Sequence, residues 1–112
     1  MTKYKLKFFE EDGIAAGGTR SIHWTADADY VIRAILVNRA DGGAWTRSTC
    51  TIHIAKDPLT VDKCLVLTLG RDWLYRLPLE EPLGKDQDFD MVITNLEGTA
   101  LDIRVTLVLE KR

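Results

Sequence analysis

Only two side chains in the sequence, those of His23 and His53, are suited to acid–base chemistry near neutral pH. Each stands between two apolar residues in a segment where apolar and polar residues alternate. In a β-strand such a residue points to the face opposite its neighbours, so we expect both imidazoles to lie off the core. A catalytic histidine also needs a nucleophile or a carboxylate within hydrogen-bond reach, and no G-x-S-x-G motif supplies one. The pattern predicts histidines that face solvent or an interface, and it indicates that the protein is not an enzyme.

Two groups of acidic residues have the composition of a cation site or a pair of catalytic acids. The segment 86–90 carries three aspartates, but it runs into a strand and lacks the bidentate glutamate that an EF-hand requires. Asp27 and Asp29, with Asp62 elsewhere, would need a cleft to act as the carboxylates of a glycosidase. We therefore expect polar turns, with no metal and no cofactor. Calcium held by ligands from several loops is the alternative for 86–90.

The two cysteines, Cys50 and Cys64, are too few for a disulfide framework or a zinc site. Strand alternation puts Cys50 on the face of Ile52 and Ile54, and puts Cys64 on the face opposite Leu65. One cysteine is then buried and the other exposed, so a bridge within the chain is not expected. A bridge from Cys64 to another subunit stays open.

Four residues are candidates for contact with a partner or a glycan, namely Trp45, Arg47, Trp73 and Tyr75. Trp45 follows a glycine pair beside Arg47, as a sugar-stacking residue in a loop would. Trp73 and Tyr75 are suited to an exposed face or a subunit contact, where aromatic residues are enriched. Trp24 is expected in the core. The two interpretations, a core or interface role and a glycan platform, both remain open for this set.

The composition limits the classes of partner. A chain of 112 residues fits one domain, 1–112, and a hydrophobic content of 46% is enough for one core. A net charge of -2 argues against nucleic acid, which needs a basic patch, and against a charged membrane surface. The lysine-alternating amino terminus, 1–7, lacks the apolar stretch of a signal peptide, so we expect synthesis in the cytoplasm without an export signal.

A period of two dominates the chain and predicts strands rather than helices. Tyr4, Leu6 and Phe8 alternate with two lysines, as in an edge strand with one wet face. The segment 25–38 also fits a helix, but its β-branched residues favour a strand. We predict an all-β antiparallel sandwich, jelly-roll-like, with about eight strands. These strands are expected at 4–10, 19–25, 29–39, 48–55, 63–69, 73–77, 88–95 and 100–110, with a hairpin turn at 95–98.

One segment carries a family resemblance. Residues 21–32, SIHWTADADYVI, contain the pattern aromatic-Thr-Ala-x-x-Asp-Tyr-x-Ile. This pattern resembles the small β-sandwich virion proteins of tailed phages, found in tails, fibres and capsid decoration. The turn 83–86 before Phe89 and the closing segments 92–95 and 103–107 are similar to theirs as well.

The resemblance implies a function of assembly, with no catalytic residue carried over. It predicts a homo-oligomeric structural protein of the virion that decorates a capsid or associates with a tail through contacts with capsid or tail proteins. A carbohydrate-binding module that recognises a host-surface glycan is the alternative, and the exposed-aromatic candidates favour it.

Overall fold

The computed structural model describes residues 4–60 and 62–112. Residues 1–3 of the amino-terminal segment 1–7, for which no signal peptide is expected, lie outside the described residues. The described chain is all-β, as predicted, apart from one 3-10 turn at Val66–Thr68. Its strands are β1 (Tyr4–Ile14), β2 (Thr19–Thr25), β3 (Tyr30–Arg39), β4 (Thr49–Ile54), β5 (Asp57–Pro58), β6 (Cys64–Leu65), β7 (Glu81–Leu83), β8 (Asp88–Thr94) and β9 (Leu101–Lys111).

The strands form two antiparallel sheets that pack face to face. Sheet A has the order β1-β9-β3-β7, and sheet B has the order β2-β8-β4-β5, with β6 also paired to β4. The pairs are nested along the chain, because β1 pairs with β9, β2 with β8, β3 with β7, and β4 with both β5 and β6. A long antiparallel ribbon rolled up in this way is a jelly roll. The predicted sandwich is therefore confirmed, with nine described strands rather than about eight.

The inner faces of the two sheets form the core, and the period-two pattern positions them. In β9 every second residue from Leu101 to Leu109 is buried, and β8 contributes three fully buried side chains from sheet B. Alternate side chains of a strand share a face, so these rows meet between the sheets. The segment for which a helix was the alternative forms the end of β2, a short turn and β3. The β8 and β9 residues of the core are Phe89, Met91, Ile93, Leu101, Ile103, Val105, Leu107 and Leu109.

Strand β1 is the edge of sheet A, as predicted, but its wet face is not the one expected. Lys5 and Lys7 lie opposite Leu109 and Leu107, which are core residues, and directly paired residues share a face. The lysines therefore lie on the inner side of the sheet. Phe9 sets this orientation, because its ring packs against the core and stacks on Phe89. The outer face of β1 carries Tyr4, Leu6 and Phe8.

Two of the predicted strands are wrong. The segment 63–69 is a strand only at Cys64–Leu65, and 73–77 lies in a loop. Val66 and Leu69 are buried and stand three residues apart, which is the period of a 3-10 turn and not of a strand. The sequence interpretation also missed β5 and β7, which are two and three residues long.

The predicted hairpin turn at 95–98 is also wrong, because β8 belongs to sheet B and β9 to sheet A. Asn95 stabilises this crossing between the sheets and is fully buried. Its side-chain amide donates to the carbonyl of Ile14 at 2.9 Å and to that of Thr99 at 2.8 Å. A buried side chain paired in this way ties the start of β9 to the end of β1.

The expectation that the two cysteines lie on opposite faces is wrong. Cys50 on β4 and Cys64 on β6 are directly paired in the antiparallel ladder, so their side chains share a face. Cys50 belongs to the core, and Cys64 is half-buried against it. Their sulfur atoms are 3.6 Å apart, and both thiols are free.

Candidate functional site

The centre of the outer face of sheet A is apolar. Tyr4, Leu6 and Phe8 of β1 point away from the core and are 46%, 69% and 50% exposed. In the next two strands Val108 is paired with Leu6, and Ala34 is paired with Val108. Both of these residues are buried although they lie outside the core cluster. Apolar side chains therefore continue across three strands on this face.

The loop between the 3-10 turn and β7 reaches over this face. The ring centroid of Trp73 is 5.3 Å from that of Tyr4, and the guanidinium of Arg76 lies 3.7 Å from the Trp73 centroid. Gly70 begins the loop at φ +93, and a Cβ on it would lie 2.7 Å from the carbonyl oxygen of Tyr75. The neck of the loop is thus too narrow for any other residue.

We call this surface the outer apolar face and define it by its exposed side chains. Besides the three residues of β1, it includes Trp73, which is 40% exposed, and we add Leu74, the next residue in the sequence, which is 77% exposed. Large contiguous apolar patches are rare on isolated proteins, so the surface is the leading candidate for a functional site. The outer apolar face is Tyr4, Leu6, Phe8, Trp73 and Leu74.

Ion pairs flank the outer apolar face at both ends of its strands. At one end Arg104 of β9 donates to Asp12 of β1 at 2.7 Å. At the other end Arg33 lies 3.1 Å from Glu80 and 3.5 Å from Glu110. Each end therefore carries both a cation and anions, which is the polar rim that surrounds the apolar centre of a protein interface.

The four predicted contact residues do not form one site. Trp45 is buried, and its indole nitrogen donates to the carbonyl of Val37 at 2.9 Å. Arg47 is exposed in the loop after it. Trp73 belongs to the outer apolar face, whereas Tyr75 points to a separate cleft of about 370 Å³ that Trp45 also lines.

The aromatic residues offer little free surface to a sugar. Trp45 has the sequence setting of a sugar-stacking residue, but only 6% of it is exposed, and a stacking platform needs an open ring face. The Arg76 guanidinium already lies over the Trp73 ring. Trp24 packs half-buried against the core beside Tyr30, with ring centroids 5.9 Å apart, in keeping with the expected core role.

Sequence reasoning missed Glu97, whose carboxylate is the most heavily bonded acidic group in the described structure. It accepts hydrogen bonds from the backbone N–H groups of Thr46, Arg47 and Ser48 at 2.8–3.0 Å, and from the Thr46 and Ser48 hydroxyls at 2.7 Å. The guanidinium of Arg39 is 3.9 Å away, and the Glu97 side chain is only 3% exposed. Three successive backbone N–H groups form a nest that binds an anion, and here the anion is the protein's own carboxylate.

The hydrogen bonds that Glu97 accepts determine the direction in which its pKa is shifted. Burial by itself would raise the pKa of this carboxyl, but the donors from Ser48, Thr46 and Arg47 outweigh burial and lower the pKa to about 2. A carboxyl group whose pKa lies so far below neutral pH is a poor general acid or base there. Glu97 therefore joins the loop before β4 to the loop before β9 and has a structural role.

His23 belongs to a short row of polar groups on the outer face of sheet B. Its Nδ1 is 2.6 Å from Asp90, and its Nε2 is 3.4 Å from the hydroxyl of Thr25. This spacing superficially matches an acid–histidine–nucleophile array, but the Thr25 hydroxyl donates to Asp88 at 2.7 Å and not to the ring. The His23 side chain is 58% exposed on an open strand face. Both His23 and His53 are exposed, as predicted.

The remaining acidic candidates are part of turns. The Tyr30 hydroxyl donates to Asp27 at 2.7 Å, and Asp29 accepts from the backbone N–H of Lys85 at 2.9 Å. The segment 86–90 forms a turn and the start of β8, as predicted. Within residues 4–60 and 62–112, no group of three or more His, Cys, Asp or Glu side chains is placed to hold a metal ion.

Comparison with known proteins does not assign the chain to a family. No family model matches it, and neither a curated protein nor a solved structure matches it. None of the described helical segments is long and apolar enough to cross a membrane.

Proposed function

We propose that this chain is a non-enzymatic structural protein that assembles through protein–protein contacts, with a second copy of itself seated on the outer apolar face. The observation that carries the proposal is the outward orientation of Tyr4, Leu6 and Phe8. The resemblance of residues 21–32 to tailed-phage virion proteins supports a capsid-decorating or tail-associated role. Jelly rolls have many unrelated functions, so the fold is compatible with this role without selecting it.

The size of the outer apolar face suits a subunit interface. The exposed fractions of its five side chains correspond to roughly 600 Å² of surface, given the areas of large apolar side chains. A stable interface takes about 800 Å² from each partner, of which a polar rim is part. The apolar centre and the ion-paired ends of the face together supply an area of that order.

The partner is expected on the face of sheet A and not at its edge. An unpaired edge strand invites another strand to add to it, and inward-pointing charges are one device that prevents this. Lys5 and Lys7 supply those charges in β1, and the Lys7 ammonium lies 5.5 Å from the ring centroid of Phe9. Strand addition at β1 would bring the inward-facing lysines of the two partners close together.

The charges of the rim suit a second copy of the chain. A two-fold interface places the same surface patch against itself, so a patch with a single sign of charge would repel its copy. Each end of the outer apolar face carries an arginine beside carboxylates, Arg104 with Asp12 and Arg33 with Glu80. The net charge of the chain is only -2, so long-range repulsion between copies is small.

The mass in solution at micromolar concentration tests the proposal. We expect light scattering on a size-exclusion column to give an oligomer for the wild type and a monomer for Leu6→Glu. Val92→Glu is the matched control, because Val92 is 38% exposed on the outer face of sheet B. Substitutions at such exposed positions should leave the fold intact, which circular dichroism checks.

A monomeric wild type would overturn the proposal, as would equal dissociation by Leu6→Glu and Val92→Glu. A monomer that bound a glycan panel, and lost that binding in Trp73→Ala, would instead support the carbohydrate-binding alternative.

A further inference from the structure

The paired positions of Cys50 and Cys64 satisfy the geometry of a disulfide. Directly opposite residues of an antiparallel pair have Cα atoms about 4.5 or 5.5 Å apart, and both spacings fall in the range that a disulfide spans. Their sulfur atoms are already 3.6 Å apart. Closing to the bond length of about 2.05 Å needs only a small movement of the two side chains.

The two thiols differ in their access to solvent. Cys50 is 2% exposed in the core, whereas Cys64 lines an open, mainly apolar cleft of about 370 Å³ with Leu69, Leu77 and Leu79. Burial, with the neighbouring Cys64, raises the pKa of the Cys50 thiol. A reagent in solution therefore meets Cys64 first, and Cys50 is the nearest group that can react next.

We infer that Cys50 and Cys64 form an oxidisable dithiol that closes to a disulfide when it meets a small-molecule disulfide such as oxidised glutathione. In the first step the thiolate of Cys64 attacks one sulfur of glutathione disulfide, forms a mixed disulfide and releases one glutathione thiolate. In the second step Cys50, after giving its proton to solvent, attacks the sulfur of Cys64 and releases the second glutathione. Two protein thiols are oxidised and one glutathione disulfide is reduced to two thiols.

The bridge joins β4 to β6 through two cysteines that are 14 positions apart in the sequence. It constrains the intervening loop, together with the 3-10 turn that follows β6. A bridge across a loop of this length is expected to raise the melting temperature of a domain of this size by about 10 °C. The dithiol lies on the core side of sheet B, so the inference does not depend on the outer apolar face or on the proposed function.

The experiment compares the protein in dithiothreitol with the protein in a series of glutathione disulfide concentrations. We expect intact-mass spectrometry to show the loss of two hydrogen atoms, peptide mapping to join the two cysteines, and the melting temperature to rise as stated. Cys50→Ser should stop at a mixed disulfide, with one glutathione held on Cys64. Cys64→Ser should react far more slowly, because the remaining thiol is buried.

Three results would overturn the inference. The first is a wild type that keeps both thiols while an exposed thiol of a reference protein is oxidised. The second is a wild type that accumulates the mixed disulfide without closing it. The third is a bridge between chains, seen as a dimer on a non-reducing gel.

Discussion

Glu97→Gln is the substitution whose effect on stability follows most directly from the structure. The carboxylate of Glu97 accepts five hydrogen bonds, two on one oxygen and three on the other. A glutamine amide keeps one oxygen and replaces the other with an NH₂ group that faces N–H donors. At least one N–H of the nest then loses its partner, and the loss costs up to about 1–3 kcal/mol where the donor is shielded from solvent.

The lowered pKa of Glu97 expresses the same hydrogen bonds as a free energy of folding. Its pKa falls from an ordinary 4.5 to about 2 on folding. A difference of this size corresponds to about 3 kcal/mol of folding stability carried by the ionised form. Because the folded pKa is the lower one, this contribution is fully present above about pH 5 and is lost as the pH falls towards 2.

Urea unfolding of the wild type and Glu97→Gln at several pH values measures this contribution. We expect the free energies of unfolding to differ by about 3 kcal/mol at pH 7 and by less than half of that at pH 3. Glu80→Gln is the control, because the Glu80 side chain is 80% exposed. Its surface ion pair is expected to contribute less than about 1 kcal/mol.

The difference between wild type and Glu97→Gln isolates Glu97 from the other carboxylates, which titrate in both proteins. A difference that stayed constant from pH 7 to pH 3 would refute the role of ionisation. A cost at pH 7 no larger than that of Glu80→Gln would refute the role of the nest as well.

Two further predictions concern the polar contacts of His23 and Trp45. The hydrogen bond that the His23 ring donates to Asp90 raises the pKa of His23 above its ordinary value of 6.5. Asp90→Asn should therefore lower the pKa midpoint of the His23 ring in an NMR titration, and an unchanged midpoint would contradict the pairing. The stability that this pair contributes is present below about pH 6.5 and is lost as the pH rises through the folded pKa. Trp45→Phe removes the hydrogen bond to the Val37 carbonyl and should lower the free energy of unfolding, measured in urea, by about 2 kcal/mol. Trp73→Phe is the control and should lower it by less than about 1 kcal/mol. Equal losses would contradict the core role of Trp45.

The sequence predicted those strands in which each face is chemically distinct. The closing strand is the clearest case. Its five alternating apolar residues between positions 101 and 109 are all buried, whereas the residues at positions 102, 104 and 106 are not buried. The predicted strand 63–69 failed because Leu65, Leu67 and Leu69 match a strand while Val66 and Leu69 match a 3-10 turn. A short apolar segment fits the period of a strand and that of a 3-10 turn equally well, and only tertiary packing decides which of the two forms.

The remaining errors come from contacts that are distant in sequence. The cysteines were assigned to opposite faces by extending an alternation through a segment that is not a strand, so the pairing of Cys50 with Cys64 was missed. Glu97 was part of a predicted hairpin turn, and its partners lie about 50 positions away. Nothing near Glu97 in the sequence marks it, because the nest that binds it belongs to another loop.

Strand β1 carries the residues on which the proposed function depends, and their orientation is also set by contacts that are distant in sequence. Alternation of Tyr4, Leu6 and Phe8 with Lys5 and Lys7 establishes two faces, but it does not say which face meets the core. That choice depends on the pairing of β1 with β9 and on the stacking of Phe9 against Phe89, neither of which is local. Since the inner side of an edge strand lies near the open side of the sandwich, the lysines can reach solvent there while they protect the edge. The apolar residues of β1 are then left on the outer face of the sheet, where they are exposed in the single chain.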